Sequence, residues 1–397
     1  MTVLATEARH LDAGRDVRAA GFRVEFYADW YEAMLRWRGG NAPTPFQDGR
    51  WLGPWYRAFG ACDNVEPLIA IVTEAATSEQ VMLLPLVRRP WNGIRLIEFA
   101  DLDLSDYNAP LLGTAAPRDA ATARLMWRHL IKALKRLPGG GADFIRLRKL
   151  PLELAGQPNP LALLDGMTGC AVNGNVVVIG EDFDAWRHSL EKTVRKELER
   201  SWRVFARHEQ AAFNIVTDQV AAARALAAMA LQQDARMRHL GVANFSLNEQ
   251  AYSAFYRNLI GENLDNGYVV LSTLTVGDEV VATLLGIRNG ASYVMVRISN
   301  AGETWSNCSP GRLIIERTMA ALHQDGVRSF DFSTGNYAYK RRFGVVRVPL
   351  LNKAGALSWR GVPYALRDRV VRELRRYPHL MARIRRALGT QSAREEY

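Results

Sequence analysis

From Ser292 to Gly344 the chain reads SYVMVRISN AGETWSNCSP GRLIIERTMA ALHQDGVRSF DFSTGNYAYK RRFG. Ser292–Ser299 predicts a strand, and a loop then ends in Ser309-Pro310-Gly311 before a predicted helix, Arg312–Gln324. A short strand follows at Ser329–Phe332, and after it a turn rich in Tyr and Lys from Gly335 to Gly344. A strand running into a helix N-terminus, with a second strand behind it, is how an α/β protein builds an anion site beside a reacting centre. The first helical turn leaves N–H groups unpaired and carries a partial positive charge. Pro310 fixes φ where the helix begins, and Gly311 leaves room for a ligand.

The same order of elements occurs earlier in the chain. Helical patterns cover Phe26–Arg38 and Phe46–Phe59, three strands follow at Pro67–Thr73, Gln80–Val87 and Ile94–Phe99, and a loop passes through Ser105-Asp106-Tyr107. A helix at Ala120–Lys135 and a strand at Phe144–Leu147 complete this first set. The second set has helical patterns at Gln219–Met237 and Phe245–Leu259, then strands at Tyr268–Val276, Val280–Ile287 and Ala291–Ile298. Gly277-Asp278 is a hairpin turn between the first two of these strands. Phe46, Trp55 and Tyr56 align with Phe245, Phe255 and Tyr256 at an offset of about 200 residues, so the chain is predicted to be an internal duplication. Pro151–Gly174, rich in Pro, Gly and Asn, is the expected boundary. The helix after it, starting near Asp184, carries an apolar stripe through Trp186, Leu190, Val194, Leu198 and Trp202.

Six short motifs carry a family resemblance. They are Pro43-Thr44-Pro45-Phe46-Gln47, Leu84-Pro85-Leu86-Val87-Arg88-Arg89, Ser105-Asp106-Tyr107-Asn108, Ser309-Pro310-Gly311, Asp331-Phe332-Ser333 and Tyr339-Lys340-Arg341-Arg342-Phe343-Gly344. In that order and spacing the chain resembles the Gcn5-related N-acetyltransferase (GNAT) superfamily, and within it the CelD-like branch related to the FemABX peptidyltransferases. The resemblance implies an α/β fold of two tandem GNAT-like domains, each a mixed central sheet flanked by helices, plus a basic C-terminal helical tail. The expected divisions are an N-terminal tail at 1–20, domains at 21–172 and 173–355, and the tail at 356–397.

The resemblance also implies an acyl-CoA donor, an amine acceptor and no metal. GNAT proteins place the CoA pyrophosphate at the helix start matched here by Ser309, Gly311 and Arg312. The alternative for Ser309-Pro310-Gly311 is a plain helix cap. The Gln/Arg-x-x-Gly-x-Gly/Ala signature of typical GNAT enzymes is absent. Asn336 opens the segment that follows the fifth GNAT strand, where a Tyr commonly protonates the leaving thiolate. Tyr339 and Lys340 are the candidates for that role, and the alternative is a half-buried aromatic turn with Lys340 in solvent. Asp331, ending a short buried strand, orients or deprotonates the amine or else caps its own turn. Asp106 and Tyr107 hold the equivalent loop of the first copy, facing an acceptor or making an Asx turn. His239 is a candidate base or a helix-terminal histidine.

Composition narrows the field. Of 397 residues, 48% are hydrophobic and 23% charged, which is the balance of a folded chain. Apolar runs are strand-sized, no secretory leader is visible, and three cysteines give no disulfide framework, so a cytoplasmic location is expected. No metal-ligand spacing, P-loop or nucleophile elbow is present. The net charge of +10 resides in two segments. Residues 187–208 have seven Lys/Arg against three Glu, and residues 360–397 have ten Arg against four acids. In the latter, Leu366, Val370, Leu374 and Tyr377 make a stripe bordered by arginines, which suits the anionic inner face of a membrane or a docked helix. The leading reading is an N-acyltransferase acting on a membrane- or envelope-associated amine such as a sphingoid-type lipid or an amino sugar. The alternatives are a FemABX-like aminoacyl-tRNA-dependent transferase and a non-catalytic scaffold of an envelope-polysaccharide complex. Nucleic acid is otherwise not an expected partner.

Overall fold

The computed structural model describes residues 21–40, 42–138, 141–239, 249–375 and 379. Two compact units divide the chain, one built from its first part to Ala171 together with the segment from Pro349 on, the other from Val172–Val348.

The first unit opens with β1 (Phe22–Tyr27), α1 (Trp30–Arg36) and α2 (Gly49–Phe59). The helical pattern expected from Phe26 is therefore a strand up to Tyr27. Asp29 then starts α1 by accepting the Glu32 N–H on its side chain, which satisfies one of the helix's unpaired donors. The strands β2 (Glu66–Glu74), β3 (Gln80–Trp91) and β4 (Ile94–Phe99) form an antiparallel meander. In β3 the run Val81–Val87 is buried on both faces, which is why it lacks alternation. After β5 (Leu111–Leu112), which pairs with β3, the helix α3 (Ala120–Lys135) crosses over to β6 (Phe144–Pro151). Strand β6 lies parallel to β4, the pairing that a helical crossover permits. Ala123, Met126, Leu130 and Leu134 give α3 its buried stripe, and Asp119 caps it. Three short strands follow: β7 (Glu153–Leu154), β8 (Gln157–Pro158) and β9 (Thr168–Gly169).

The second unit begins with β10 (Gly174–Val178), α4 (Phe183–Ser189) and α5 (Lys192–Phe205). The single stripe expected from Trp186 to Trp202 is thus split, because Leu190 takes an extended conformation between two helices. Next come β11 (Ala211–Ile215), α6 (Gln219–His239) and α7 (Glu249–Asn263). The strands β12 (Val269–Val276), β13 (Glu279–Asn289) and β14 (Ser292–Asn300) repeat the meander. Helix α8 (Pro310–Gln324) crosses over to β15 (Ser329–Asp331), parallel to β14. The unit closes with α9 (Ala338–Arg341) and β16 (Val346–Val348).

The chain then returns to the first unit. Strand β17 (Leu350–Ala356) pairs antiparallel with β6, and α10 (Val362–Arg375) follows it. The two sheets run β1-β2-β3-β4-β6-β17-β9 and β11-β12-β13-β14-β15-β10-β16. Strand for strand they repeat each other, with one exchange. The place beside the parallel strand is filled in the second sheet by β10, from its start, and in the first sheet by β17, from late in the chain. This corrects the expected end of the second domain at 355, since residues 350–356 complete the first sheet. Of the aromatic pairs, Trp55/Phe255 and Tyr56/Tyr256 occupy buried positions on α2 and α7, while Phe245 lies outside the described residues.

Candidate active site

In the second sheet β14 and β15 are paired only between Ser292–Val294 and Ser329–Asp331. Beyond that point β14 runs on to Asn300, while the chain leaves β15 at Asp331 and turns. The register of β14 against β13 also shifts: Leu285 faces Arg297 but Gly286 faces Met295, so Val296 is an extra residue. Such a bulge bends the strand and takes one residue out of the ladder. Beside it Gly286 leaves room for the Tyr293 ring, from which a Cβ there would lie 2.2 Å. A wedge therefore opens in the sheet beside the bulge. Near the far end of β14 stands the start of α8, with Gly311 beside the side chains of Asn300 and Ile298.

The other wall of the wedge is a turn held from several sides. Ser333 takes a left-handed conformation, φ 65°, uncommon for a residue with a side chain. Its N–H donates to Asp331 Oδ1 at 2.7 Å, and its hydroxyl donates to the Met295 carbonyl at 2.5 Å. Asn175 on β10 donates through Nδ2 to the carbonyls of Ser333 and Gly335, both at 2.8 Å. Lys340, 2% exposed, donates from Nζ to the carbonyls of Phe332 at 2.7 Å, Thr334 at 2.8 Å and Ser333 at 3.4 Å. Lys340 is therefore not the solvated side chain of the alternative expectation. The ammonium is the donor around which the turn folds. Asp331 likewise supports its own turn, at the tip of the strand that borders the wedge.

Tyr339 sits on α9, half-buried against the core of this unit, with the Tyr337 ring 6.1 Å away. Burial pushes its phenol above the ordinary tyrosine range, Tyr337 adds to the rise, and the Arg236 charge on α6 opposes it. Nearby on β14, just past the bulge, Arg297 lies over the Tyr256 ring at 4.3 Å and the Tyr252 ring at 5.2 Å, and also bonds Gln233 of α6. His239 is exposed in the last turn of α6. Asn336 is exposed in the turn before α9.

At α8 the observed contacts differ from a plain cap. Ser309 is left-handed, φ 47°, and its side chain caps no N–H; its carbonyl instead accepts from the N–H groups of Arg312 at 3.0 Å and Leu313 at 3.1 Å. Arg312 donates from Nη2 to the Ser309 hydroxyl at 2.9 Å and from Nη1 to Glu197 on α5 at 2.7 Å. Arg342 reaches the same Glu197 oxygen at 2.8 Å. Hydrogen bonds from Arg342, and then from Arg312, hold this carboxyl below its usual range. One carboxylate thus pins two guanidinium groups near the helix start.

Asp106 and Tyr107 lie in the first unit, in a separate polar knot. Lys149, buried with φ 60°, donates to Asp101 and to the Ser105 carbonyl at 2.5 Å. Asn108 donates to Asp101 at 2.8 Å, Gln47 to the Tyr107 carbonyl at 3.0 Å, and Trp51 to the Ser105 hydroxyl at 3.1 Å. Burial alone would lower the Lys149 ammonium, but Asp101 and then Asp106 outweigh it and the net shift is upward. The motifs at 43–47 and 105–108 therefore meet in one buried network. Lys149→Met is expected to destabilise the protein by about 3 kcal/mol, because it strands the Asp101 carboxylate away from water. Urea unfolding measures this, and a loss within error would show the knot to be dispensable.

Among the described residues no group of His, Cys, Asp and Glu could hold a metal ion. Asn175, Glu197 and the bulge at Val296 were not singled out from the sequence, and Arg342 was read only as part of a motif, not as a partner of Glu197. An Asn inside the otherwise apolar Val176–Val178 strand was the one available signal.

Residues 192–341 match the acetyltransferase (GNAT) domain family. The second unit carries a GNAT acetyltransferase domain. By that domain the protein is an acyltransferase, and the wedge, the bulge and the α8 start all fall within it or at its edge. FemX aligns with 79% of this chain and 93% of its own, at 10% identity and TM-score 0.53. A conserved protein of unknown function from Bacteroides thetaiotaomicron aligns with 85% of this chain and all of its own, at 10% identity and TM-score 0.50. A tandem GNAT protein from the clavulanic acid biosynthesis pathway is similar over 85% of this chain, at 12% identity and TM-score 0.46. The first two likenesses span both units and concern the fold. Comparison with curated proteins yields no match.

Proposed function

We propose that the protein transfers an acyl group from acyl-CoA to a primary amine at the wedge of the GNAT domain. The observation that carries this is the parting of β14 and β15 at a bulge, beside a helix start furnished with Gly311 and Arg312. In this reading the thioester lies along β14 and its diphosphate meets the start of α8, with Arg312 as the cation. The backbone at Val296, out of the ladder, supplies a donor to the developing oxyanion. The amine nitrogen attacks the thioester carbon, so a C–N bond forms and the C–S bond breaks. The thiolate takes the phenolic proton of Tyr339, and the amine's surplus proton restores the phenol through solvent. Asp331 and Lys340 act by shaping the turn, and His239 and Asn336 lie at the exposed margin. The acceptor is assigned as a membrane- or envelope-associated amine, of the long-chain or amino-sugar type, with the protein peripheral to the inner face of the membrane.

The test is release of free CoA thiol from acetyl-CoA and long-chain acyl-CoA in the presence of a sphingoid-type amine or glucosamine. Amine-dependent thiol release is expected. Acyl transfer only from charged tRNA would replace this reading with the FemABX-like one. One observation favours that second reading: Arg187, His188, Lys192, Arg195, Lys196 and Glu199 line a basic cavity of about 240 Å³ on α4 and α5.

A further inference from the structure

Among its described side chains, helix α10 is attached to the first unit through Tyr364 and Ala365. Tyr364 donates its hydroxyl to the Asn92 carbonyl at 2.7 Å, its ring lies 5.1 Å from Trp91, and Ala365 packs beside it on the same small core. The opposite face is apolar and open. Trp359, just before the helix, is 82% exposed, followed by Val362 at 44%, Leu366 at 55% and Val370 at 55%. Their spacing of three or four residues puts them in one stripe on a helix. Arg367 borders one side of it and Arg369 the other, both exposed, while Arg360 in the turn before the helix donates to the Gly93 carbonyl at 2.7 Å. A stripe of this composition is uncommon on a surface meant for water, since a tryptophan and three aliphatic side chains in line give up apolar burial. No helix among the described residues is long and apolar enough to cross a membrane.

We infer that the Trp359–Val370 face is a docking surface for an anionic lipid bilayer, lying in the plane of the headgroups. Trp359 and Leu366 enter the acyl boundary, while the arginines on both edges meet phosphate groups. The charge decides between occupants. Arginines on both sides of one stripe would repel those of a second copy placed against it, whereas anionic lipid satisfies both edges at once. The inference deepens the assignment of a membrane-associated acceptor, but its test needs neither donor nor acceptor, so each reading can fail alone.

The experiment is flotation of the full-length protein with phosphatidylcholine vesicles and with vesicles that also contain phosphatidylglycerol. Binding to the anionic vesicles is expected, and loss of most of it in about 0.5 M salt. The double variant Trp359→Ser/Leu366→Ser should weaken binding by roughly tenfold or more, as should Arg367→Glu/Arg369→Glu. All four positions are exposed, so the melting temperature should be unchanged, and this is measured alongside. No binding to anionic vesicles, or binding that both double variants retain, overturns the inference. So does a dimer in light scattering that Leu366→Ser dissociates, since the stripe would then belong to a second copy.

Discussion

Lys340→Met is expected to destabilise the protein by about 3–5 kcal/mol and to abolish acyl transfer with it. The reason is local and countable. The ammonium is buried and donates to three carbonyls of the turn between β15 and α9, at Phe332, Ser333 and Thr334. Methionine fills the same volume but offers no N–H, so the buried Phe332 carbonyl loses this donor and the Ser333 carbonyl keeps the one from Asn175. Ser333 keeps its left-handed conformation only while the turn is held by other contacts, and Lys340 supplies several of them. Urea unfolding of wild type and variant reads the effect. Wild-type stability with lost turnover would mean that Lys340 touches the reacting atoms after all.

Tyr339→Phe should behave in the opposite way. Loss of one half-buried hydroxyl should leave unfolding within about 1 kcal/mol of wild type, while kcat falls by roughly a hundredfold. KM for the donor should hardly move, since the phenol acts on the leaving sulfur. The pH profile gives an independent check. Burial raises the phenol's pKa, so it remains protonated through neutral and moderately alkaline pH. The reaction should therefore show no loss of rate from this group up to about pH 10. A descending limb below that pH which disappears in Tyr339→Phe would contradict the assignment. Equal kcat in the two proteins would remove Tyr339 from the chemistry.

The repeated element order was legible because it rests on strong local signals. The strand pairs around Gly277-Asp278, the buried run Val81–Val87, and the α3 span Ala120–Lys135 each declare themselves within a few residues. The exchange of β10 and β17 was not legible, because neither strand's sequence records which sheet it joins. The buried place of Lys340 was not legible for a similar reason. In sequence it is one of three consecutive basic residues, and only the fold carries its stem inward to the Phe332–Thr334 carbonyls while Arg341 is exposed and Arg342 turns to Glu197. The helix start at Pro310 was read at its place, but as a cap or a bare anion site. The Glu197 carboxylate that fixes Arg312 lies 115 residues earlier, a distance across which no local pattern can report.

Gly311 offers the most direct test of the donor site. A Cβ there meets no backbone, only the Asn300 side chain at 3.5 Å and Ile298 at 4.0 Å, and a helix accepts leucine better than glycine. Gly311→Leu should therefore fold as well as wild type while filling the space in front of the α8 start. Calorimetric titration of both proteins with a long-chain acyl-CoA decides the matter. Saturable binding to wild type, weakened by roughly a hundredfold in Gly311→Leu, is the expected result. No binding to wild type, or equal binding to both, would contradict the claim that acyl-CoA is held at this helix start.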